Sequence, residues 1–107
     1  MSGRAQAVAA AARAFDDGRY RAALAELVAY RTESQGDGIP QELERYLAEA
    51  MRPRLEGLGF TCTVHDNPSG HPGRVLVARR HEGDELPTVL SYGHGDVIRG
   101  YEERWSE

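Results

Sequence analysis

The chain has 107 residues, of which 40% are hydrophobic and 28% charged, and its formal net charge is −4. This length and composition predict one ordinary globular domain and argue against a disordered chain. All 13 basic residues are arginines with at most two adjacent, which argues against a nucleic-acid partner, and no apolar run is long enough for a membrane span. The single cysteine, Cys62, is expected to be a small buried hydrophobe, excludes an internal disulfide and favours a cytoplasmic location.

Apolar residues at helical spacing predict three helices in the first part of the chain. The first apolar stripe runs from Ala5 to Phe15 and the second from Tyr20 to Arg31. A loop, "ESQGDGIP" at 33–40, precedes a third stripe, 43–58, with Pro40 in its first turn. Since Pro53 falls inside this stripe, we expect a kink or a break near Arg52.

The period changes to that of strands after residue 59. "FTCTVHD" at 60–66 and "RVLVARR" at 74–80 predict two strands, joined as a hairpin by the turn residues of 67–73. "TVLSYG" at 88–93 predicts a third strand, buried on both faces. The chain is thus expected to be a single α/β domain over 1–107, helical over 1–59 and with strands over 60–98. A doubly buried third strand also needs neighbouring strands and covering helices, so we expect an incomplete piece of a larger α/β domain.

His94 and Asp96 follow the predicted third strand, and residues two apart on an extended segment point the same way. Ligand sites of α/β sheets gather at the carboxyl ends of strands, and a metal-bound histidine usually donates its other ring N–H to a carboxylate. The tripeptide alone favours an ordinary strand-ending glycine turn with two exposed polar residues, since such short patterns arise by chance. A single histidine is also not a metal site, because zinc needs three or four ligands. The other histidines, His65, His71 and His81, match no metal-binding spacing and are expected to be exposed.

The residues allow two other functions. The pair Gly93 and Gly95 suggests a nucleotide-binding half-domain, but Ile98 stands where the dinucleotide motif needs its third glycine. A non-enzymatic small α/β interaction module, which associates through an uncovered sheet edge, is the stronger alternative.

"TVLSYGHGDVI" at 88–98 resembles the first metal-ligand segment of a zinc peptidase and amidohydrolase family. That family includes acetylornithine deacetylase, succinyl-diaminopimelate desuccinylase, aminoacylase and the glutamate carboxypeptidases. Its pattern is an apolar strand, then Gly-His-x-Asp and two apolar residues. Upstream, "LAELVAYRTESQ" resembles the opening helix and loop of the family, and "LAEAMRPRLEGLGF" resembles the helix before the first strand. Gly95 and Arg99 depart from residues common in the family, which leaves the subfamily open.

The resemblance implies the N-terminal part of a three-layer α/β/α catalytic domain that hydrolyses amide bonds in N-acyl amino acids or small peptides. Two zinc ions are implied, with cobalt or manganese as alternatives. It assigns His94 as a metal ligand and Asp96 as the catalytic carboxylate that orients it. The remaining ligands and the general base are then expected beyond residue 107, so this chain alone should be inactive. A homodimer or other self-association is expected, with no nucleic-acid or membrane partner.

Overall fold

A computed structural model describes residues 2–35 and 40–106. The first two helices, α1 (Gly3–Asp16) and α2 (Arg19–Val28), form a helical hairpin. The Oγ of Ser2 accepts a hydrogen bond from the backbone N–H of Ala5 and so begins α1. Gly18, at φ +83°, makes the left-handed turn between the two helices. Both helices were predicted from their apolar stripes. Of the predicted loop at 33–40, positions 36–39 lie outside the described residues.

The third helical segment changes its winding before the proline. It consists of α3 (Pro40–Arg45), a π-helical stretch (Tyr46–Met51) and α4 (Arg52–Gly57). Pro53 has no N–H to donate to the carbonyl four residues earlier, and its ring crowds that carbonyl. The wider winding accommodates this, with the Arg52 N–H reaching back five residues to the Leu47 carbonyl. The predicted irregularity near Arg52 is therefore a local widening of the helix over the residues that precede it.

Two antiparallel strands, β1 (Thr61–His65) and β2 (Val75–Arg79), form the sheet. Their register runs from Thr61 opposite Arg79 to His65 opposite Val75, which confirms the predicted hairpin. In the connection, the Asn67 side chain accepts a hydrogen bond from the Ser69 N–H at 3.0 Å, and Gly70 adopts φ +78°. A short 3₁₀ helix (Glu102–Arg104) lies near the end of the chain.

The prediction of a third strand at 88–93 is wrong for this structure, in which only β1 and β2 pair as strands within the described ranges. Val89, Leu90 and Tyr92 are 87%, 94% and 89% exposed. A strand exists only when another strand pairs with its backbone, and the described residues supply neither that strand nor covering helices. The coarser prediction of a mixed α/β chain is confirmed, whereas the three-layer arrangement is not present in the described residues.

The part of the chain that the structure describes buries little side-chain surface. Its buried residues are Ala50, Cys62 and Thr32, and none of its large side chains is fully buried. The radius of gyration is 17.0 Å, against roughly 13 Å for a compact domain of this length. Cys62 is buried as predicted. No helix within residues 2–35 and 40–106 is long and apolar enough to cross a membrane.

Candidate functional site

The candidate site is formed where the segment after α2 meets the segment that contains His94. The Val97 N–H donates to the Thr32 carbonyl at 2.9 Å, and the Ser34 N–H donates to the Val97 carbonyl at 3.0 Å. These two bonds form a short parallel bridge between distant parts of the chain. Thr32 is only 4% exposed. The bridge therefore holds the His94-Gly95-Asp96 segment beside Ser34.

His94 contacts Asp96 through one ring nitrogen. Its Nδ1 lies 3.2 Å from Asp96 Oδ1 and 3.0 Å from the Asp96 backbone carbonyl oxygen. A carboxylate and a carbonyl can only accept hydrogen bonds, so the neutral imidazole must carry its proton on Nδ1. The electron pair is then on Nε2. Because the His94 side chain is 71% exposed, that nitrogen is accessible to a ligand or a metal ion.

Asp96 is held on both sides. The Ser34 hydroxyl donates to Asp96 Oδ2 at 2.8 Å, while Oδ1 faces the His94 ring. The hydrogen bond from Ser34 is the main reason why the pKa of Asp96 is lowered, and His94 lowers it further, against the opposing effect of burial. The carboxylate is therefore ionised at neutral pH. It lies in position to hold the imidazole in one orientation, and its role beside a metal ligand stays a prediction.

Ser34 was missed in the sequence because it lies 62 residues from Asp96 along the chain. Its local context, "RTESQ", is typical of any polar loop, and serine is common in such loops. Only the parallel bridge brings it to the site. The sequence could have identified Ser34 only if it also showed that the segment at 32–34 pairs with the segment at 97.

Gly95 lies against an aromatic ring. A Cβ built at this position would be 2.2 Å from Cε1 of Tyr46 and 2.9 Å from its Cδ1. Tyr46 in turn packs edge-to-face with Tyr30, with ring centroids 5.9 Å apart and an interplanar angle of 75°. Gly95 thus lies in close approach to the π-helical stretch, where a side chain would meet the Tyr46 ring. At Gly93, by contrast, a Cβ would meet no atom within 4 Å.

The atoms available at this site could supply one ligand to a metal ion. His94 presents Nε2, and Asp96 is already engaged through both carboxylate oxygens, so it suits the orienting role rather than a ligand role. Among the described residues, no group of three or more histidine, cysteine, aspartate or glutamate side chains could hold a metal ion. Zinc needs three or four ligands. A closed metal site is therefore not formed by residues 2–35 and 40–106.

The remaining histidines are exposed, as predicted. His81 pairs with Asp84, its Nε2 lying 3.0 Å from Oδ1, and His71 Nδ1 accepts a weak hydrogen bond from the Gly73 N–H. Neither contact involves the candidate site. The structure thus brings His94 and Asp96 together as the sequence predicted and adds Ser34 to them.

An open groove between α2 and the third helical segment does not contain the candidate site. Its charged side chains are paired with each other: Arg45 with Glu42 and Glu49, and Arg54 with Glu26. With three carboxylates against two guanidinium groups the lining keeps a small negative excess, but each of these side chains already belongs to an ion pair. The groove is lined by Glu26, Ala29, Tyr30, Glu42, Arg45, Glu49, Ala50, Pro53 and Arg54.

Comparison with known proteins gives no relative: no family model, curated protein or solved structure matches this chain.

Proposed function

We propose that this chain is the N-terminal part of a zinc-dependent hydrolase that cleaves amide bonds in N-acyl amino acids or small peptides. The observation that carries the proposal is the geometry at His94. Its Nδ1 faces the Asp96 carboxylate and carbonyl, and its Nε2 is left for a metal ion. The resemblance of residues 88–98 to the metal-ligand segment of the amidohydrolases supports the same assignment.

In such a hydrolase, two metal ions acidify a water molecule and polarise the scissile carbonyl. The contribution of this chain would be one ligand, His94, held in a single ring orientation and tautomer by Asp96. The remaining ligands and the general base are not among the described residues, and we propose that they lie beyond residue 107. Cobalt or manganese are alternative metals, since imidazole and carboxylate ligands do not select zinc alone.

Metal binding by the 107-residue chain tests the ligand assignment. Zinc added to the protein labelled with ¹⁵N at histidine should shift the Nε2 resonance of His94 before those of the other histidines. Binding should be weak, because one imidazole cannot close a zinc site. His94→Ala should abolish that first binding event, whereas His71→Ala, which removes an exposed histidine elsewhere, should not. Equal responses from His71 and His94 would show that the site has no preference for zinc.

Hydrolysis tests the reaction. The 107-residue chain should release no amino acid from N-acyl amino acids when zinc is added, and robust turnover by this chain would refute the proposed incompleteness. The intact mass of the protein isolated from its source shows whether further chain exists. If it does, that protein should hydrolyse these substrates. His94→Ala should then inactivate it, and Asp96→Ala should reduce activity or metal affinity by about 10- to 100-fold.

A second candidate is a non-enzymatic small α/β interaction module that associates through its sheet edge, with the unpaired apolar run at 88–93 as further contact surface. The observation that favours it is the exposure of the apolar run, with Leu90 at 94% and Val89 at 87%. Contiguous exposed apolar surface commonly marks an interaction site. This function predicts that His94→Ala leaves association unchanged in sedimentation experiments. Loss of a metal-dependent activity in His94→Ala would exclude it as the sole function.

A further inference from the structure

We propose that Ser34 is a positioning residue for His94, acting through Asp96. Its hydroxyl anchors one oxygen of the Asp96 carboxylate so that the other oxygen stays on the His94 ring and keeps the ring proton on Nδ1. This role depends on the proposed function. A metal ion, or a proton taken from a substrate, binds to the free electron pair of Nε2, and that pair is available only when the ring proton is on Nδ1.

Ser34 is held in place independently of its hydroxyl. Its backbone N–H donates to the Val97 carbonyl at 3.0 Å, and the Val97 N–H donates to the Thr32 carbonyl at 2.9 Å. Removal of the hydroxyl therefore leaves the parallel bridge intact. This property makes Ser34→Ala a test of the side chain rather than of the fold.

The anchor is needed because Asp96 is accessible to water. Its side chain is 46% exposed, so a carboxylate bound at one oxygen alone would exchange that contact with solvent. A carboxylate bound at Oδ1 by the imidazole and at Oδ2 by a hydroxyl has both oxygens engaged and one preferred rotamer. Without Ser34, the Asp96 backbone carbonyl, 3.0 Å from Nδ1, remains as an acceptor. The bias toward the Nδ1–H tautomer should then weaken without disappearing.

The experiment measures the tautomer of His94 in the metal-free chain. Histidine ¹⁵N spectra are recorded in alkaline solution, at a pH where the spectra themselves show the His94 ring to be neutral. We expect Ser34→Ala to lower the ratio of the Nδ1–H to the Nε2–H tautomer by about threefold. Ser34→Thr, which keeps the hydroxyl, should restore it. The matched control is Ser69→Ala, since Ser69 also donates through its hydroxyl in an exposed turn, at 2.8 Å to Asn67 Oδ1.

An unchanged His94 tautomer ratio in Ser34→Ala, with the Val97 amide resonance in its original position, would overturn the proposal. So would a change that Ser34→Thr fails to reverse. A zinc titration of the same samples separates this inference from the proposed function. If His94 does not bind zinc but its tautomer ratio depends on the Ser34 hydroxyl, the metal assignment fails and the positioning role of Ser34 is supported.

Discussion

Replacement of Gly95 by alanine should destabilise the chain through a steric conflict with Tyr46. The new Cβ would lie 2.2 Å from Tyr46 Cε1 and 2.9 Å from Cζ, whereas carbon atoms in contact are separated by about 3.5–4.0 Å. The Tyr46 ring or the 94–96 segment must therefore move by more than about 1 Å. Gly95 does not have a positive φ, so backbone strain adds nothing to this cost.

The magnitude follows from two contributions. Overpacking by one methyl group typically costs about 1–3 kcal/mol. A displaced Tyr46 ring would also weaken its edge-to-face contact with Tyr30, at 5.9 Å between centroids, and such pairs contribute about 0.5–1.5 kcal/mol. Because the two effects share one movement, we expect a total of about 2 kcal/mol rather than their sum. For a domain of this size, that corresponds to a fall in Tm of roughly 10 °C.

Urea unfolding followed by far-UV circular dichroism measures the free energy. The control is Gly93→Ala, where the added Cβ meets no atom within 4 Å, and its cost should be below about 0.5 kcal/mol. In a Tyr46→Ala background the obstructing ring is absent, so Gly95→Ala should cost much less than in the native chain. Equal costs of Gly95→Ala in the two backgrounds would refute the steric explanation.

Three further outcomes are expected. The pKa of Asp17 is lowered mainly by the hydrogen bond that its carboxylate accepts from the Arg19 N–H. The ionised carboxylate therefore stabilises α2 above the ordinary carboxyl pKa of about 3.9, and this stabilisation is lost as the pH falls through the lowered pKa. The helix content of Asp17→Ala should accordingly be below that of the native chain at neutral pH and equal to it in strong acid, as measured by circular dichroism; a difference that persists in acid would contradict this. Cys62→Ser should lower the free energy of unfolding in urea by about 1–3 kcal/mol, because Cys62 is 7% exposed and a buried serine hydroxyl would lose its hydrogen bonds to water. An unchanged free energy of unfolding would mean that the hydroxyl finds a hydrogen-bond partner in the protein. Leu90→Asp should shift sedimentation of the concentrated chain toward the monomer, because Leu90 is 94% exposed and a charge on an apolar contact opposes association; an unchanged distribution would place the contact elsewhere.

Local patterns in the sequence determined most of the secondary structure. Apolar stripes at helical spacing predicted α1 and α2, and Pro53 marked where the third helix changes its winding. The turn residues at 67–73 predicted the hairpin of β1 and β2. The spacing of His94 and Asp96 predicted their contact, since two residues on one short extended segment need no other part of the chain to meet.

Long-range pairing was decided only by the tertiary structure. The contact between Ser34 and Asp96 depends on a bridge between segments more than sixty residues apart, and the need for glycine at 95 depends on the Tyr46 ring of a distant helix. The run at 88–93 was mispredicted for the same reason. Its apolar residues favour burial. A strand forms, however, only where another strand supplies hydrogen-bonding partners, and the described residues supply no such partner for this run.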